Sequence, residues 1–162
     1  MNIKFTNPSD SVKVSKYSKT VLTEIMKESG LTKIIITSTA RTVADQARIM
    51  YSNIEKHGAN EQKRLYSGYG DKVIDVYVDL KSKGKTRAEI ISAMQKKIIT
   101  LGPSKVSSHV ADFSKLNVVD IAPSSIPKGL QLKFEKAVAD DSRIKRFFKP
   151  PKDPAYHLEI TQ

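Results

Sequence analysis

The chain opens on a weak alternation, with Ile3 and Phe5 apolar between polar neighbours, which predicts a short edge strand within residues 1–7. "NPSDS" then reads as a turn and helix start. Val12, Val14, Tyr17, Val21, Leu22, Ile25 and Met26 recur at helical spacing, and Gly30 stands where a left-handed C-cap would close that helix. "KIIITST" at 33–39 is a continuous β-branched run, the pattern of a buried strand. Residues 41–58 return to helical spacing, with Val43, Ala47, Ile49, Met50 and Ile54 on the apolar stripe. Thr42 or Ser38 can cap that helix and Gly58 can end it.

Residues 59–71 are polar and carry glycines, which predicts a loop. Residues 72–84 give two signals, alternating like a strand but ending in Lys-rich, helix-like sequence. Thr86 followed by Glu89 is a capping-box pattern, and it predicts a helix over 86–102 that Gly102 stops. "LNVVDIA" at 116–122 is a second buried-strand pattern, and a helix is expected from about Lys128 within 123–141. Residues 143–150 and 156–161 both alternate as strands, joined by the rigid turn "PPKDP". There is no repeat and no low-complexity segment. Irregularly mixed helices with strands concentrated late predict an α+β fold: one domain over 1–162, with a small, mostly antiparallel sheet flanked by helices.

The 162 residues include no cysteine, which excludes disulfides and thiolate-held metals. A metal ion must then be held by histidine and carboxylate. The net charge of +11 predicts attraction to a polyanion: nucleic acid, anionic lipid or an acidic wall polymer. "KSKGKTR" and "RIKRFFKPPK", the latter interleaving cations with aromatics, keep a basic, non-enzymatic module binding nucleic acid or cell wall open as an alternative. Against it, the basic residues are spread along the chain and no nucleic-acid fold signature occurs, so no specific nucleic-acid partner is expected. No apolar run reaches transmembrane length, so membrane insertion is not expected either. "MNIKFTNPSD" lacks the pattern of a secretory leader, which predicts synthesis in the cytoplasm without a signal peptide.

Three histidines are available. His57 adjoins a glycine at a predicted helix end, where a cation favours the dipole, and reads as structural. His109 lies in a Ser-rich loop and is either a solvated histidine or a ligand. Asp120 is set in the apolar run "NVVDIA", where a carboxylate must find a partner or bear the cost of desolvation. His157 alternates with apolar neighbours in "AYHLEI" and is either a packed core histidine or a ligand. Catalytic zinc commonly takes three protein ligands and leaves one position open. Such a centre also needs a carboxylate to move protons and a cation for the developing oxyanion.

The combination "S-x-H … V-V-D-I-A" at 107–122, "IIITSTARTVADQARIMY" and "AYHLEI" resembles, in chain order, the motifs of the zinc D-alanyl-D-alanine carboxypeptidases. Their relatives include VanX- and VanY-type enzymes and phage L-alanyl-D-glutamate endopeptidases. The resemblance spans roughly residues 33–160 and implies the Hedgehog/DD-peptidase fold. It implies Zn²⁺ on His109, Asp120 and His157, with Arg41 as the oxyanion-stabilising arginine. It also implies substrate-binding roles for Ser107, Gln46 and Tyr156. The loop between His109 and Asp120 is longer than the family's, which leaves Asp112 as a competing ligand. The family's acid position is Pro154 here, so the general base is Asp153 or, on the other side of His157, Glu159.

The implied activity is a zinc metallopeptidase that cleaves a peptidoglycan stem-peptide bond, either L-Ala–D-Glu or D-Ala–D-Ala. A phage-type endolysin or other cell-wall lytic enzyme fits the leaderless, basic, cysteine-free chain. Such an enzyme acts as a monomer on the wall or periplasm, after release by a holin or a delivery system.

Overall fold

Ile34, Ile36, Val119, Ile121, Leu158 and Ile160 are all buried, and the strands that carry them form a single sheet. The strands are β1 (Asn2–Phe5), β2 (Lys33–Ser38), β3 (Leu116–Ile121), β4 (Ile144–Phe148) and β5 (Tyr156–Thr161), in the spatial order β1-β2-β3-β5-β4. β1 runs parallel to β2, while the β2–β3, β3–β5 and β5–β4 pairings are antiparallel. The fold is thus α+β, with a mixed, mostly antiparallel five-stranded sheet. The computed structural model describes residues 1–66 and 68–162 and divides into two compact units, one of residues 1–40 with 112–162 and the other of residues 41–111.

The first unit holds the sheet. Strand alternation sends Val119, Ile121, Tyr156, Leu158 and Ile160 to one face, where α1 (Lys16–Ser29) and the last helix of the chain, α7 (Gln131–Asp140), cover them. Val21, Leu22, Ile25 and Met26 from α1 and Phe134, Ala137 and Val138 from α7 complete that core. α1 begins later than its apolar pattern predicts. Pro8–Lys13 form a 3₁₀ turn, Val12 is 86% exposed, and the Ser15 hydroxyl caps α1 by accepting the Ser18 N–H at 2.9 Å. Gly30 ends α1 at φ 76°, as its position in the sequence predicts.

The second unit is helical: α2 (Val43–His57), α3 (Ala59–Leu65), α4 (Gly68–Ser82), α5 (Arg87–Leu101) and α6 (Pro103–Val106), followed by a 3₁₀ turn, Ser108–Val110. Its own core joins Ala47, Met50 and Ile54 to Val73, Ile74, Ile90, Met94 and Ile98. The loop expected over 59–71 is replaced by α3 and the start of α4; Ser67, within that stretch, lies outside the described residues. Polar composition misleads there because α3 buries little beyond Gln62. The mixed signal at 72–84 resolves as helix, since Val73, Ile74 and Tyr77 fall on the face of α4 turned to the core. The capping box of α5 forms: Thr86 Oγ1 accepts the Glu89 N–H, and Glu89 Oε2 accepts the Thr86 N–H at 2.8 Å. Among the described residues no helix is long and apolar enough to cross a membrane.

Candidate metal centre

The alternation that sends Tyr156 and Leu158 into the core turns His157 and Glu159 to the opposite face of β5, beside Val118 and Asp120 of β3. Asp120 and His157 are register partners, and His157 Nδ1 lies 2.9 Å from Asp120 Oδ1. On the other side of the ring, His157 Nε2 is 3.5 Å from Glu159 Oε1. Phe148, paired with His157 from β4, stacks on the imidazole with centroids 5.7 Å apart. Arg146, one turn of the β4 pleat away, brings Nη1 to 3.7 Å from Glu159 Oε1. The Thr37 hydroxyl donates to the Asp120 carbonyl at 3.2 Å, tying β2 to this part of β3.

These side chains are dry, with exposures of 8% for His157, 14% for Asp120 and 3% for Glu159. Burial pulls the His157 pKa down, and this is the largest single influence on it. The bonds to Asp120 and Glu159, with the charges of Asp120 and Asp153, outweigh burial together and push it up to about 9. The metal-free ring is therefore held between carboxylates as an imidazolium.

His109 is buried in the 3₁₀ turn Ser108–Val110, and its carbonyl accepts the Arg41 N–H at 2.7 Å. One ligand atom each from His109, Asp120 and His157 lie within 4.8 Å of one another, and this group could hold a metal ion. Two imidazoles and a carboxylate are hard-to-borderline donors of the kind that first-row divalent ions accept, and the absence of thiolate agrees with the cysteine-free sequence. The residues present therefore fit a metal ion.

Asp112, the competing ligand, lies outside this group. It is exposed, and its carboxylate accepts the Ser114 N–H and hydroxyl at 3.0 and 2.7 Å, bonds that hold its pKa below the usual carboxylate range. Arg41 directly precedes the Thr42 cap of α2, and its Nη1 donates to Gln46 Oε1 at 3.1 Å. Gln46 is fully buried and passes the chain on, Nε2 donating to Tyr66 Oη at 3.2 Å. Ser107 stands at the start of the 3₁₀ turn that carries His109. Asp153 sits in the turn before β5, where its Oδ1 accepts the Ala155 N–H at 2.9 Å. His57 is the last residue of α2, exposed at the negative end of its dipole.

Tyr156 belongs to the core face. It is 2% exposed, packs edge-on against Phe134 at 5.2 Å and donates its hydroxyl to Glu135 at 3.0 Å. Burial and the Glu135 bond push its pKa up to about 12.

Tyr66, Arg146 and Phe148 are the neighbours that sequence reasoning did not single out for this site. Alternation in 143–150 could have marked Arg146 and Phe148 as sharing a strand face. Nothing local signals that Tyr66 reaches Gln46. The chain matches no family model, and no curated protein or solved structure matches it.

Proposed function

We propose that the chain is a zinc-dependent peptidase acting on peptidoglycan stem peptides, built on the Hedgehog/DD-peptidase fold. The observation that carries this reading is the convergence of His109, Asp120 and His157. The order of the motifs in the sequence supports it. A bound Zn²⁺ supplies Lewis acidity, polarising a scissile carbonyl and making hydroxide available near neutral pH. The chain's own groups do the rest. Asp153, whose charge already acts on His157, takes the proton of the attacking water and returns it to the leaving amine. Arg41, steadied by Gln46, sets a guanidinium against the developing oxyanion. Ser107 offers a hydroxyl to the substrate. The net charge of +11 draws the enzyme to an anionic wall, as suits a phage-type endolysin acting after release from the cytoplasm.

The test is metal content followed by turbidity loss of purified peptidoglycan, with and without chelator. Near-stoichiometric zinc, and lysis abolished both by chelator and by His109→Ala, are expected. A metal-free, inactive protein that shifts DNA in a salt-dependent way would replace this reading with that of a basic binding module. Mass spectrometry of the released fragments identifies which stem-peptide bond is cut.

A further inference from the structure

We propose that Glu159 is a positioning residue that holds the Nε2–H of His157, so that Nδ1 presents its lone pair to the metal. The inference rests on the metal-centre reading above and removes Glu159 from the choice of general base. Two ligand atoms at about 2.0–2.1 Å from one tetrahedral ion stand about 3.3 Å apart. The 2.9 Å between His157 Nδ1 and Asp120 Oδ1 is close to that spacing, which marks Nδ1 as the coordinating nitrogen. The other nitrogen faces Glu159 at 3.5 Å, on the same face of the same strand. A histidine bound to a metal usually gives its second N–H to a carboxylate, which fixes the tautomer and the ring's orientation.

Burial supports the assignment. Glu159 is 3% exposed, and a carboxylate that dry needs hydrogen bonds and a counter-charge. The Nε2 edge of the imidazole faces Glu159 Oε1 at 3.5 Å, and Arg146 supplies the counter-charge at 3.7 Å. Arg146 is itself braced, its guanidinium 5.8 Å from the Phe148 ring centroid, and Phe148 stacks on His157. His157 is thus gripped at its edge by Glu159 and on its face by Phe148. A general base must reach a substrate water, whereas Asp153, in the turn ahead of β5, is partly exposed.

The experiment titrates the metal-free full chain with Zn²⁺ and with Co²⁺ against a competing chelator. Glu159→Leu is expected to weaken both affinities about 10- to 100-fold. Glu159→Gln, whose amide oxygen still accepts from Nε2, should recover most of the loss. Wild-type affinity in a folded Glu159→Leu protein overturns the proposal. A second measurement needs no variant: ¹⁵N spectra of the zinc-loaded wild type should show His157 protonated at Nε2 and coordinated through Nδ1. The opposite tautomer overturns the proposal while leaving the metal centre intact. A wild type that binds neither ion overturns the metal-centre reading, and this inference with it.

Discussion

Asp120 and His157 face each other across the β3–β5 ladder, with Oδ1 and Nδ1 2.9 Å apart, although 37 positions separate them in the chain. The pairing explains an aspartate inside an apolar strand: Asp120 and Val118 share the face away from the main core, where a carboxylate meets an imidazole. A shift of one residue in β5 would exchange His157 for Tyr156 and put the histidine into the core.

That pairing separates the two aspartates of the 107–122 stretch. Asp120→Asn should weaken zinc binding by more than about tenfold. Asp112→Asn, which removes the charge but keeps an oxygen to accept the Ser114 N–H and hydroxyl, should stay within about twofold of wild type. Chelator-competition titration of the two variants decides which aspartate serves the metal.

Phe134 is completely buried between α7 and the sheet, edge-on to Tyr156. Its truncation to alanine leaves a large cavity against β5, and the expected loss is about 3–5 kcal/mol, measured by urea unfolding. Because Tyr156 and His157 are neighbours on β5, zinc affinity should fall with the packing. Tyr156→Phe is the contrast: it keeps the ring contacts and removes only the hydrogen bond to Glu135.

Gly70, inside α4, tests whether packing or helix propensity dominates. A Cβ there would lie 2.5 Å from the Tyr66 Cβ and 2.7 Å from its ring. Alanine gains about 1 kcal/mol of helix propensity, while forced overpacking costs about 1–3 kcal/mol. Overpacking should win, because the clash includes the root of the tyrosine side chain, which cannot swing aside. Gly70→Ala should therefore lower Tm, and it should also loosen the Tyr66–Gln46 bond that steadies Arg41.

Glu89 gives the chain an acid-sensitive helix start. The Thr86 N–H, the Thr86 hydroxyl and Lys85 hold its pKa down to about 2, against an ordinary 4.5. A depressed folded-state value means the stabilisation is fully present above about pH 4.5 and is lost as pH falls through about 2. Thermal melts between pH 6 and 2 should show wild type converging on Glu89→Gln at the acid end and exceeding it at pH 6.

Local chemistry was readable wherever a few adjacent residues decide the outcome. Gly30 and the Thr86–Glu89 box mark helix ends because capping bonds span only three or four residues. The alternation in 156–161 marks a strand because side chains repeat every second position. It was less legible at 59–65, where a short polar helix has too few buried residues to show a period, and at Val12, whose apolar spacing continues past the true helix start.

The sequence by itself therefore determined the α+β class, most of the helix and strand positions and, through its lack of cysteine, the restriction of any metal to imidazole and carboxylate ligands. Only tertiary structure set Asp120, and not Asp112, beside His157, sent Tyr156 to the core face, and placed Glu159, Arg146 and Phe148 around His157. The reason is physical: caps and periods are settled within one turn or pleat, whereas a ligand set depends on the register between strands far apart in the chain.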